Sequence, residues 1–265
     1  MSQIIVQLNP DVPPTGSDLG IVNAARKSFG KRSEIEYVTG AMGYYKLKDK
    51  DKRLLEFLAR GMTAKDFTHF LDEMDNCVTG GQDEGFEKTV EKLWEWRNTP
   101  THASPFGHAF MSFELKIPMF LARQLVKHKF LRWSEYSRRY ITDDVEFYKH
   151  AYRTKAEDVK QGSGGSHKNS EEWQKTVDLF NQNQLGLYNS MIKDGIAPEQ
   201  ARGVLPADLM TALTWSGSLD AFADMCRLRL GSDAQKEAQL VAEKVYEHLK
   251  KQFPVSAPLL VEGVF

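Results

Sequence analysis

The sequence predicts a mixed α+β fold, with few strands and a helical C-terminal half. Three observations predict it. Apolar residues alternate with mostly polar ones from Ala109 to Ile117, the period of a half-buried strand. Ile21, Ala24, Ala25 and Phe29 recur at helical spacing near the start. Beyond residue 171 almost the whole chain reads as helix.

Residues 2–8 (SQIIVQL) read as a first strand. Ser17 and Asp18 are suited to cap a helix running to about Phe29. A second helix is expected over 51–60, stopped by Gly61. Thr63 and Asp66 resemble a capping box before a third helix, and a fourth is expected near 86–97. Both lie within what reads as one domain of 265 residues. After the strand at 109–117, Pro118 suits the first turn of a helix extending to Phe130. The polar 153–171 stretch, with its GSGGS, predicts a mobile surface loop. The remaining helices are expected at about 171–194, 198–204, 207–216, 218–230 and 233–252.

A composition of 41% hydrophobic and 27% charged residues is that of an ordinary soluble globular protein. With 35 basic and 36 acidic residues, the chain is not one that coats nucleic acid non-specifically. Cys77 and Cys226 are too few for a disulfide framework or a zinc cage, so both are expected to be reduced thiols in the cytoplasm. No metal site is expected. The N-terminus lacks a basic region and a long apolar stretch, so neither a signal peptide nor a membrane span is expected.

Positive charge is concentrated in Arg123–Tyr140, which holds six Lys or Arg and one carboxylate, Glu135. Like charges crowded together are tolerated best beside an anion. In the expected helix Arg123 and Lys127 stand one turn apart, as do Gln124 and His128. Ser137 and Arg139 offer a short hydroxyl donor and a planar fork, which suit phosphate oxygens. Trp133, Tyr136 and Tyr140 are interleaved with the cations, a common arrangement for holding flat heterocycles that carry phosphates. The pattern fits a mononucleotide, a dinucleotide cofactor or single-stranded RNA equally well.

At these residues the chain resembles the flavin-dependent thymidylate synthases, the ThyX family. Lys127-His128-Lys129, seven residues, then Ser137 is similar to that family's Arg-His-Arg, seven residues, Ser. Phe120, Ala122-Arg123-Gln124, Glu135 and Arg139-Tyr140 match its flanks. His102 to His108 resembles the family's His-x-(Ser/Thr)-Pro-Phe-Glu-His. Ala24 to Phe29, Ala201 to Pro206, and Leu228-Arg229 followed by Ser232-x-Ala234-Gln235-x-Glu237 also match, in family order. The chain departs from the pattern at Ser134, Gly107, Asp224 and Asp233, in having Lys at both motif arginines, and in its length before residue 98, where the resemblance implies a helical insertion near 61–98.

The resemblance implies a ThyX-like fold, with a central, mostly antiparallel sheet among helices, assembled as a homotetramer with shared active sites. It implies methylation of dUMP to dTMP, with methylenetetrahydrofolate as carbon donor, FAD as cofactor and NADPH as reductant. Arg229 would be the catalytic arginine that polarises the uracil ring. Arg123, Gln124, Lys127, Glu135, Ser137, Arg138, Arg139 and Arg202 would bind substrate. Lys127, His128, Lys129, Glu135, Ser104, Ser218, Asp224 and His102 would meet the flavin. No enzyme nucleophile is needed. Two alternatives stay open: a relative modifying another pyrimidine mononucleotide such as dCMP, and a single-strand nucleic-acid binding module.

Overall fold

The computed structural model describes residues 4–39, 43–60, 68, 71–72, 91, 102–140, 145–156 and 162–262. In chain order the first elements are β1 (Ile5–Leu8), α1 (Asp18–Lys27), β2 (Glu36–Val38), β3 (Tyr44–Lys46) and α2 (Asp49–Arg60). A 3₁₀ turn (Ser104–His108) leads into β4 (Phe110–Pro118), α3 (Met119–Leu125) and β5 (Arg132–Glu135). Then come β6 (Arg153–Lys155), β7 (Ser163–Ser166), α4 (Ser170–Lys193) and α5 (Pro198–Ala201). The chain ends with β8 (Met210–Ser218), α6 (Leu219–Arg229), α7 (Lys236–Gln252) and α8 (Ser256–Val261). No helix among the described residues is long and apolar enough to cross a membrane.

The chain divides into two compact units, one of 1–13, 111–217 and 225–245, the other of 14–110, 218–224 and 246–265. The first contains a sheet in the order β1-β4-β8-β5, with β1–β4 and β5–β8 antiparallel. β4 follows the expected alternation: Met111, Phe113, Leu115 and Ile117 are all buried. Each large apolar side chain so buried contributes about 1.5–3 kcal/mol.

β8 overturns an expectation, since 207–216 had read as helix. Its true period is two: Leu213, Trp215 and Gly217 are buried, whereas Ala212, Thr214 and Ser216 are not. The β-branched threonines and Trp215 favour the pleated surface, and β4 and β5 on either side satisfy the strand's backbone. A Cβ on Gly217 would meet the end of the Leu131 side chain, which occupies that space.

The helix expected to reach Phe130 stops at Leu125, capped by Val126. Pro118 is its N-cap and not part of its first turn. The cause lies in the tertiary structure, because residues 132–135 are recruited as β5 against β8. Trp133 then stands opposite Trp215 with ring centroids 5.9 Å apart. Residues 126–131 must therefore turn, and they do so through His128 N–H to Leu125 O and Leu131 N–H to His128 O, both 3.2 Å. The GSGGS stretch, expected within a mobile loop, supplies β7, which pairs antiparallel with β6. Trp173 is 54% exposed on α4.

In the second unit the expected cap is present: the Ser17 hydroxyl accepts from Gly20 N–H at 3.1 Å. Asp18 is buried and its two carboxylate oxygens accept from the Val255 and Ser256 N–H groups, each at 2.9 Å. Arg26 on α1 bridges to the buried Asp51 on α2 at 2.5 Å. The helical insertion expected near 61–98 lies outside the described residues, apart from a few isolated positions.

Candidate functional site

Within the first unit, α3, β5 and the 202–211 stretch enclose a cavity of about 560 Å³. Arg123, Glu135, Ser137, Arg138 and Arg202 line it together, although 79 residues separate Arg123 from Arg202 in sequence (202 − 123). Met119, Leu205, Pro206, Ala207 and Leu209 supply an apolar wall. That wall is held by backbone bonds from Met119 N–H to Leu209 O (2.9 Å) and Phe120 N–H to Ala207 O (3.0 Å). An apolar wall in a cavity that several cations also line suits a planar base that carries a phosphate.

The bends that aim these side chains are local. Ser137 Oγ accepts from Arg139 N–H at 3.3 Å, and Tyr140 N–H bonds to Ser137 O at 3.1 Å, so the basic run turns at Ser137. Glu135 Oε1 accepts from the Thr211 hydroxyl at 2.9 Å, while Trp133 Nε1 donates to its Oε2 at 3.3 Å. Arg139 reaches Glu199 at 3.4 Å, an exposed pair of little energetic weight. Thr211, expected within a helix, lines the candidate cavity; a period-two reading of 210–218 puts it beside β5.

Gln124 and Arg229 line a different cavity, of about 500 Å³, with Arg153, Gly162, Ser163 and the 233–235 turn. Arg229 Nε donates to His128 Nε2 at 3.3 Å. Burial pushes the Arg229 guanidinium below its ordinary value, yet arginine stays a cation in proteins. Gln124 Oε1 is buried and has no hydrogen-bond partner. Lys127 and Lys129 are exposed on the turn after α3 and flank the half-buried His128. His102, Ser104, Ser218 and Asp224 belong to the second unit. There His102 stacks on Phe57 with centroids 5.7 Å apart, and the Ser218 hydroxyl bonds to Asp220.

Cys226 is fully buried, and burial pushes its thiol up to about 12. It has neither the thiolate character nor the exposure of a nucleophile. Cys77 lies outside the described residues.

Residues 14–255 match the family model described as thymidylate synthase complementing protein, Thy1. The chain belongs to this family. Among its Thy1 relatives, a flavin-dependent thymidylate synthase of Thermus thermophilus is 34% identical over 169 residues. That match covers 62% of this chain and 62% of the relative's length. The flavin-dependent thymidylate synthase of Ehrlichia ruminantium (strain Gardel) is also 34% identical, over 61% of this chain and 56% of that protein. In overall fold the Thy1 chain is similar to a UMP/dUMP methylase, PolB, from Streptomyces cacaoi, solved with 5-Br dUMP. The TM-score is 0.70 at 24% identity, covering 98% of this chain and 96% of that one.

Proposed function

We propose that this Thy1 protein methylates a pyrimidine mononucleotide, dUMP to dTMP, as a flavin-dependent thymidylate synthase. The carrying observation is the convergence of Arg123, Ser137, Arg138 and Arg202 with Glu135 on one apolar-walled cavity. In this reading Ser137 and the arginines hold the phosphate, and Arg139 supports the turn at its edge. The base lies on the Met119–Leu209 wall, where Glu135 accepts a hydrogen bond from a ring N–H or a ribose hydroxyl. Arg229 polarises the ring: a guanidinium at its carbonyl edge stabilises the negative charge that makes C5 nucleophilic. The inert Cys226 fits a reaction without a covalent enzyme adduct.

The residues present fit a flavin. Lys127, His128 and Lys129 cluster as donors for its phosphates and ring, and the orphaned Gln124 Oε1 offers an unclaimed acceptor nearby in sequence. Glu135 is proposed beside them, and in the second unit the family resemblance proposes His102, Ser104, Ser218 and Asp224 as flavin contacts. When bound, FAD supplies the hydride chemistry, while the side chains orient and polarise. Methylenetetrahydrofolate and NADPH are the proposed co-substrates.

A homotetramer is proposed on the surface of α4, where Trp173, Leu179, Phe180 and Leu187 are large, apolar and exposed. Copies packed together would let the Gln124–Arg229 cavity of one chain complete the mononucleotide cavity of another. Light scattering on the purified protein should give four times the chain mass of 30.2 kDa; a monomer would rule this assembly out.

The deciding experiment is an absorbance spectrum followed by parallel assays. Yellow protein that forms dTMP from dUMP only with methylenetetrahydrofolate and NADPH supports the proposal. Preference for dCMP or UMP would move the substrate while keeping the chemistry. Colourless protein that cannot be reconstituted with FAD would overturn it.

A further inference from the structure

Arg153 on β6 and Glu237 in the first turn of α7 form an ion pair that the proposed chemistry has not used. One Arg153 nitrogen, Nη2, reaches both carboxylate oxygens, at 2.9 and 2.8 Å. Arg153 Nε donates to the Ser163 hydroxyl on β7 at 2.6 Å. Glu237 is only 3% exposed and also accepts from Gln235 Nε2 at 3.0 Å.

These bonds converge on the turn that leaves Arg229. Gln239 Nε2 donates to the carbonyls of Gly231 (2.8 Å) and Ala234 (3.1 Å), closing the turn onto α7. Gly162, at φ +92°, brings β7 close enough that a Cβ there would lie 3.5 Å from Asp233 O. Arg153, Gly162, Ser163 and Gln235 share a cavity wall with Arg229. Glu237 is buried and Arg153 partly so, and such a pair rarely outperforms an apolar pair in stability.

We propose that Arg153 and Glu237 are a positioning pair that locks the α6–α7 turn onto the β6–β7 strands and so holds Arg229 where it polarises the pyrimidine. The inference rests on the role given to Arg229 above. Arg153 acts through Arg229 and is not itself a catalytic residue.

Four variants test it: R153K, R153M, E237Q and R153M/E237L. The readouts are kcat and KM for dUMP, and the Arg229 Nε–His128 Nε2 separation in crystal structures of the variants. In R153M, kcat should fall about 100-fold while KM stays within about threefold, because a small misplacement of a polarising group costs rate more than binding. Arg229 should leave His128, and R153K should recover much of the rate. Should R153M fail to fold because it strands a buried carboxylate, R153M/E237L buries no unpaired charge and should show the same loss. Near-normal kcat, a change confined to KM, or lost turnover with Arg229 still 3.3 Å from His128 would each overturn the proposal. If the wild-type protein does not turn over dUMP, the functional reading fails by itself. The Arg229–His128 separation in R153M/E237L then decides the positioning claim: displaced sustains it, unchanged refutes it.

Discussion

Arg229 Nε donates to His128 Nε2 at 3.3 Å, joining the end of α6 to the turn after α3 across 101 residues of sequence. The bond requires His128 to present an unprotonated Nε2 there. The His128 ring also lies beside Trp215, with centroids 6.3 Å apart. The central histidine of the basic motif is thereby tied both to the proposed polarising arginine and to the buried sheet.

Removing that arginine should abolish chemistry and spare the cofactor. Arg229→Ala is expected to lower kcat by roughly 10²–10³, the usual cost of losing one donor to a developing charge. The flavin absorbance of the purified protein should be unchanged. Near-normal turnover would assign the ring-polarising role elsewhere.

Thr211 orients Glu135 through a 2.9 Å hydrogen bond. Thr211→Val keeps the shape and removes the donor. Calorimetric titration with dUMP should then show affinity reduced about fivefold, in line with a net hydrogen-bond worth of ~1 kcal/mol. A lower melting temperature with unchanged affinity would make Thr211 purely structural.

Cys226 should be silent in the native protein. With its thiol raised to about 12, it should resist iodoacetamide at pH 8 for hours and react within minutes in denaturant. Peptide mass spectrometry separates it from Cys77. The linkage sign also follows. A raised folded value means the native state keeps its proton while the unfolded chain loses it near 9, so stability is intact below that pH and declines as pH rises toward 12. Cys226→Ser should flatten the alkaline decline, and an unchanged profile would contradict the assignment.

Glu237 sets an opposite, acid-side dependence. Burial pushes its carboxyl up, but its own backbone N–H, Arg153 and Gln235 outweigh this and hold it below the usual carboxylate value. The stability it contributes is present above the unfolded value near 4.5 and is lost as pH falls through the lower folded value. Melting temperatures of wild type and Glu237→Gln should converge as pH drops from 6 to 3. A gap that stayed constant would mean that Glu237 ionisation does not couple to folding.

Local pattern reached far into this chain. The alternation at 109–117 marked β4, and Ser17 marked the start of α1, because both signals are carried by neighbours in sequence. The crowding of cations between Arg123 and Tyr140 marked a segment that contributes to the candidate cavity, for the same reason: charge density is a local property. The run 210–218 was misread because its apolar content suits either period, and only pairing with β4 and β5 selects the strand. Thr211 and Arg153 escaped notice, and Glu237 stood only as a motif position without a role, because each draws its meaning from a partner far along the chain.

By itself, then, the order of residues determined the family, most of the helices and which stretch gathers positive charge, since periodicity, capping and motif spacing are written between near neighbours. Tertiary structure alone decided that α3 ends at Leu125, that Arg202 and Arg123 line one cavity, and that Arg229 meets His128. Those outcomes depend on sheet pairing and burial between distant segments, which no local preference encodes.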